Sequence, residues 1–386
     1  MASIFRGAFL TIAATSARNS SEGAIFDTSS PPLRIFFVQE DTDTSCQIAA
    51  VRAQYVNPLN YLGCADAHLN KRGWTFQELL LSPRTVHFTG NQLYWRCHHH
   101  IASEDGSLEA ENERRYSAFL GPPYLAGSKT GTLIRDHGIY LWREWVNVYS
   151  SRALTYPGDK FAAIAGAISY YNDLTHKILV FGLWESTLLF DLVWYLYVPA
   201  TRDDGYHRPS NLDIAPSWSW FSVEGEITTV YSSDYYQVTK TRILEWFVEW
   251  DGTPYTSKLL STRLLVQGPI LPARFVDNLG SQGAVIVEVQ FEEPTKSPIV
   301  YLALSRPLQP PSVANNFHLD YSDPRAERNL FALSLFCDSL GTTTFLLVSA
   351  STLVPGDFRR VGVGRVDKDQ EKGAFDSAPV ETLDLV

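Results

Sequence analysis

Apolar positions along the chain fall into short runs whose spacing changes character from one end to the other. Ser3, Ile4 and Phe5 open a brief helical stretch, and Phe9-Leu10-Thr11-Ile12-Ala13 reads as a buried strand. After Ser/Asn/Gly-rich sequence from Ser16 to Gly23, Leu33 to Val38 suits a second strand, bounded by Pro31-Pro32 and the acidic turn Glu40 to Asp43. Trp74 to Leu81 contains neither Gly nor Pro, which fits one to two helical turns. Pro83 stops them, because its ring clashes with the preceding turn. Thr85 to Phe88 and Gln92 to Cys97 then alternate across Gly90-Asn91, the pattern of a β-hairpin with Leu93, Trp95 and Cys97 on one face.

Further along, residues 117 to 131 carry Gly121, Pro122, Pro123, Gly127 and Gly131 and read as a linker. Trp142 to Tyr149 and Phe161 to Tyr171 have apolar positions at helical spacing, with Pro157-Gly158-Asp159 between them as a stop and an N-cap. Ile178 to Tyr197 continues the helical character. A polar loop, Pro199 to Pro216, leads to Ser217-Trp218-Ser219-Trp220, whose alternation aims both tryptophans at one side of a strand. From Leu259 onward the runs are short and β-like: Arg263 to Gln267, Ala284 to Phe291, Pro298 to Leu304, Leu330 to Phe336, Thr344 to Ser349 and Arg359 to Val366.

Composition narrows the classes of partner. With 45% hydrophobic and 13% aromatic residues over 386 positions, the chain can bury two or three cores. A formal net charge of −10 provides no global field for phosphate backbones, so nucleic acid is not expected as a partner. Four irregularly spaced cysteines fit free thiols in a reducing compartment, and no signal cleavage site follows Met1 to Ala17. The most apolar stretch, Ile178 to Val198, is interrupted by Glu185 and Asp191, which favours burial over a membrane span. Glu104 to Arg115 reads as a solvated charged face.

The most specific pattern is the contiguous string Arg72-Gly73-Trp74-Thr75-Phe76-Gln77-Glu78-Leu79-Leu80-Leu81-Ser82-Pro83-Arg84, followed by Gln92-Leu93-Tyr94-Trp95-Arg96-Cys97. It resembles the last signature block of the fungal heterokaryon-incompatibility (HET) domain. Met1 to Ala14 is similar to the family's internal run ending Leu-Thr-Ile-Ala-Ala, and Tyr149-Ser150-Ser151-Arg152 with Phe161 to Ser169 resembles the stretch that follows the domain. Ala215-Pro216-Ser217-Trp218-Ser219-Trp220, Val223-Glu224-Gly225 and Phe358-Arg359-Arg360-Val361-Gly362 resemble later landmarks of long HET proteins. The family's two earlier blocks would lie before Met1, so the resemblance implies a chain truncated within the domain. Exposed apolar edges would follow.

The resemblance also implies candidate chemistry. Trp74-x-x-x-Glu78-Leu79 is similar to a segment of Toll/interleukin-receptor domains whose glutamate supports NAD cleavage in enzymatic members. Glu78 is thus the candidate catalytic residue, holding ribose hydroxyls and stabilising an oxocarbenium-like transition state. Trp74 and Arg84 are candidate NAD-binding residues, by stacking and by phosphate contact. The structural readings weigh more heavily: Glu78 ion-paired with Arg72 or Arg84, and Trp74 and Trp95 as core aromatics. Cys97-His98-His99-His100 with Cys64 has metal-ligand chemistry, yet consecutive histidines on a strand project in alternating directions, and no metal site is expected. Gly127-Ser128-Lys129-Thr130-Gly131 lacks the order of a phosphate loop, and no Gly-x-Ser-x-Gly elbow occurs.

These readings combine into one expectation: an α/β fold, a partial Toll/interleukin-receptor-like HET domain over 1–116, then a helical region with the Trp-rich segment over 117–245, and a mostly-β domain over 246–386. The implied function is cytoplasmic self/non-self recognition that triggers programmed cell death through protein partners, with homo-oligomerisation compatible with signalling. NAD hydrolysis through Glu78, and an inactive truncated relative, are the alternatives.

Overall fold

A computed structural model describes residues 1–24, 34–37, 49–52, 67–90, 92–97, 100–104, 106, 109–111, 142–196, 214–229, 237–238, 240–276, 286–289, 299–301, 317–319, 329–337, 341–350, 355–366 and 375–386. The fold is mixed α/β and rich in sheet, and it divides into two compact units, Met1–His176 and Lys177–Val386. The 117–131 segment expected as a linker, and most of the charged run after Glu104, lie outside the described residues.

The first unit contains helices α1 (Ala2–Gly7), α2 (Gly73–Leu81), α3 (residues 142–150) and α4 (Ala162–Thr175). Its strands are β1 (Thr11–Ala13), β2 (Arg34–Phe37), β3 (Ala49–Arg52), β4 (Arg84–Phe88), β5 (Leu93–Cys97), β6 (His100–Ser103) and β7 (Glu109–Glu111). Five of them form a sheet in the order β1-β4-β5-β6-β7, with β1 parallel to β4 and the others antiparallel. The helix and hairpin expected between Trp74 and Cys97 are therefore present, but the buried face of the hairpin is the opposite one. Thr85, His87, Tyr94 and Arg96 are buried, while Val86, Phe88, Leu93, Trp95 and Cys97 are half-buried. The reason lies in the end of α2, whose carbonyls lack intrahelical donors. Arg96 supplies them, donating from Nη2 to Leu79 O and Ser82 O, and a cation is favoured at this pole of the helix dipole.

Two further expectations change in this unit. The Phe9–Ala13 run is not a buried strand: Ala13 is buried, but Phe9 is 82% and Ile12 66% exposed on a strand with one neighbour among the described residues. Asp159 does not cap α4, whose N-cap is Phe161 without a side-chain bond; it accepts a hydrogen bond from Trp74 Nε1 at 3.0 Å.

In the second unit, the apolar run from Ile178 is not one helix. It forms strands β8 (Leu179–Val180) and β9 (Leu183–Trp184), one helical turn α5 (Leu188–Asp191) and strand β10 (Trp194–Leu196). Phe181 (φ 47°) and Gly182 (φ 89°) take left-handed conformations that turn β8 back on β9. Asp191, which made the run unsuitable for a membrane, is buried and accepts from Trp184 N at 3.0 Å and Thr187 Oγ1 at 2.8 Å.

The remaining strands are β11 (Ile227–Thr229), β12 (Gln237–Val238), β13 (Arg242–Trp250), β14 (Leu259–Val276), β15 (Ile286–Val289), β16 (Ile299–Tyr301), β17 (Phe317–Leu319), β18 (Leu330–Cys337), β19 (Thr343–Ala350), β20 (Asp357–Val366) and β21 (Val380–Leu385). The β-like runs expected after Leu259 coincide with six of them, β14 to β16 and β18 to β20. The long strand β14 pairs with β21 through residues 264–269 and with β18 through 270–273. Pairing then runs through β19 and β20 back to β21, so five strands close on themselves. Nearly every residue of β18 and β19 is buried, as expected for strands covered on both faces. Gly268 sits where a side chain would collide with Thr241, whose hydroxyl donates to Ser334 O.

Candidate functional site around helix α2

Helix α2 begins at a close backbone approach. Gly73 N donates to Ala153 O at 2.8 Å and Ala153 N to Lys71 O at 2.6 Å, and a Cβ on Gly73 would collide with the Leu154 side chain. Thr75 follows, its hydroxyl donating to Leu69 O (2.7 Å) or Arg72 O (2.8 Å) and accepting from Arg152 Nη1 at 3.0 Å. The Arg152 guanidinium also lies 5.3 Å from the centre of the Phe76 ring; burial lowers its pKa to about 10. Phe76 in turn meets Tyr149 at 5.4 Å between ring centroids, and burial pushes that phenol up.

Gln77 reads the start of α4. Its Oε1 accepts from Gly166 N at 2.9 Å and its Nε2 donates to Ala162 O at 3.3 Å. A Cβ on Gly166 would stand 2.5 Å from that Oε1, so glycine sets the distance between the two helices. The turn closes with Ser82, whose Oγ donates to Glu78 O at 2.7 Å and shares a 2.8 Å hydrogen bond with Thr11 Oγ1.

Against this background the three candidate residues separate. Trp74 and Glu78 lie one turn apart on α2, both half-buried. Trp74 is not simply a core aromatic; its indole is tied to Asp159. The Glu78 carboxylate makes no hydrogen bond or ion pair with any described residue. Burial raises its pKa, and the nearby Arg72 charge lowers it in part. Arg84 is not the expected ion-pair partner of Glu78. It points to the N-terminal segment, with Nη1 3.4 Å from Phe9 O and its guanidinium 5.2 Å from the Phe9 ring centre.

The chain matches no protein-family model, no curated protein and no solved structure. The site must therefore be read from its own geometry. Sequence reasoning missed Arg96, His87, Asp159 and Arg152; the one available signal was Arg96 itself, a cation inside an apolar alternation. His98, His99 and residues 127–131 lie outside the described residues, and among those described no three ligand-type side chains gather as a metal group.

The second unit holds the other sequence landmark. Ser217 to Trp220 is a turn entering a 3-10 helix, not a strand, and all four residues are buried. Ser219 Oγ donates to Phe181 O at 2.6 Å and accepts from Phe221 N at 3.1 Å; Trp220 Nε1 donates to Gly182 O at 2.9 Å. Ser217 Oγ donates to Val386 O and accepts from Arg360 N at 2.9 Å. Arg360, fully buried, donates to Leu192 O and Trp194 O and stacks 3.7 Å over the Trp194 ring. The Ala-Pro-Ser-Trp-Ser-Trp and Phe-Arg-Arg-Val-Gly segments are thus two halves of one buried polar junction. No helix among the described residues is long and apolar enough to cross a membrane.

Proposed function

We propose that this protein is a recognition module of the HET type, whose first unit relays a protein contact into a cell-death response. The observation that supports this reading is what the residues of the signature string do. Gly73, Trp74, Thr75 and Gln77 each hold α2 in place, against Ala153, Asp159, Arg152 and α4. They work as architecture, which suits a module that signals through shape. The parallel β1–β4 pair is compatible with the Toll/interleukin-receptor-like α/β fold implied by the resemblance. A cytoplasmic setting, protein partners and self-association belong to the same proposal. The test is expression in a fungal host of wild type and of Gln77→Leu, which loosens α2 from α4. Wild type should arrest growth and the variant should not; growth unaffected by wild type would end this reading.

One observation favours a second reading, NAD cleavage through Glu78. This is the polar side chain within 73–78 whose charge is left free by the packing, and burial makes it a readier proton carrier than a solvated carboxylate. Nicotinamide release from NAD, abolished in Glu78→Gln, is the expected result under that reading; equal background from both proteins would remove it.

A further inference from the structure

We infer that His87 is an acid-sensitive latch that holds residues 1–24 on the sheet of the first unit. His87 lies on β4 in register with Ala13 of β1. The segment after β1 folds over it: Thr15 N donates to Phe88 O at 2.9 Å, Leu69 N to Thr15 O at 3.2 Å, and Thr15 Oγ1 is 3.0 Å from His87 Nδ1. This cover leaves the imidazole 2% exposed, with Nε2 facing no hydrogen-bond partner.

The groups around the ring make a second proton costly. From β5 come Tyr94, directly across from His87, and Arg96, two residues further on the same buried face. From the β1 side come Ala13 and Thr15, neither titratable, and α2 contributes the carbonyls of Leu79 and Ser82 that Arg96 already holds. Arg96 is the charged group whose field reaches the ring. An imidazolium here would carry one N–H without an acceptor and would set a second cation beside Arg96 in a buried layer.

The neutral ring is therefore a condition of the closed state. Burial first, and Arg96 second, lower its pKa from 6.5 to about 3. A ring uncovered by release of residues 1–24 regains the ordinary value. The closed state thus has its full stability above pH 6.5 and loses it steadily as pH falls from there towards 3. Release would uncover the β4 edge that β1 now pairs with. The latch does not depend on the activity proposed above.

Amide hydrogen exchange of peptides within 1–24, referred to intrinsic rates, tests this on the full chain at pH 7.5 and 5.0. Protection in wild type should fall about 30-fold between the two, the ratio that 6.5 and 3 imply. His87→Gln, which keeps a hydrogen-bonding group but takes no proton, should show a change under about 2-fold. Should that variant fail to fold, Thr15→Val provides the second arm, lowering protection at both pH values by one common factor and keeping the step. A wild-type step no larger than that of His87→Gln, a step lost in Thr15→Val, or an equal step in peptides of 177–386, would overturn the latch.

Discussion

Among the described strands, the sheet of the first unit ends on the three-residue strand β1, uncharged and flanked by exposed Phe9, whereas in the second unit five strands close on themselves and β13 is the longest of the strands left with one neighbour. That edge strand carries Arg242, Glu245 and Glu249, with pairing irregularities at Ile243/Glu245 and Glu249/Trp250. Charges and bulges of this kind keep an edge from pairing with another chain, and β1 has neither. The interiors differ in the same sense. The ring formed by β14, β18, β19, β20 and β21 encloses apolar side chains such as Leu264, Leu333, Leu346, Val361 and Leu383. The sheet of the first unit turns Thr85, His87, Tyr94 and Arg96 inward. The ring of the second unit is filled by apolar side chains, whereas the sheet of the first adds polar groups whose hydrogen bonds must each be satisfied.

Trp218→Ala should have the largest effect, because the ring is fully buried. A loss of roughly 3–5 kcal/mol is expected in urea unfolding followed on the second unit, with the first unit's transition unmoved. If the first unit shifts equally, the contrast between the interiors is wrong. Arg360→Met should come next, at about 2–3 kcal/mol, since it strands the carbonyls of Leu192 and Trp194 in a buried junction. Arg96→Met should lower the first unit by a similar amount for the same reason; a change within about 0.5 kcal/mol would show that α2 does not need that donor. Ile12→Lys should leave stability within about 0.5 kcal/mol and suppress concentration-dependent association, measured by light scattering, by guarding the β1 edge. Glu78→Gln should raise the unfolding temperature slightly at pH 7.5. Its folded carboxyl prefers the proton, so the gain should fade as pH falls through that raised value and be gone below the ordinary 4.5; a loss of stability at pH 7.5 would mean that the charge is held by a favourable contact.

How far these features could be read from the sequence depends on whether the signal is local. The strands after Leu259 announce themselves because alternating or wholly apolar runs are cut by Gly and Pro. Helix α2 and its hairpin were legible for the same reason. The run from Ile178 misled because a continuous apolar stretch has no period to separate helix from strand, and what breaks it is the left-handed Phe181-Gly182 pair. Ser217 to Trp220 alternates like a strand, but its serines bond to main-chain groups and bend the backbone into a turn. The inverted face of β5 was hidden because Arg96 is called inward by the carbonyls of a distant helix end. The candidate site was legible in its residues and not in their roles: Trp74 and Glu78 share a helix face, while Arg84 belongs to another contact.

Strand β14 has a consequence for how the second unit comes into being. Its partnership with β13 crosses a short loop and can form early, but those with β18 and β21 join segments far apart in the chain. Closing the ring must therefore wait for residues 380–385 to be synthesised, and during that interval Leu264 and Val266 have no cover from Leu383 and Leu385. Topologies dominated by such remote pairings assemble in milliseconds to seconds, not microseconds. The closed ring is thus also the last element to be completed, and the interval before it closes is when a newly made chain is most open to capture by other apolar surfaces.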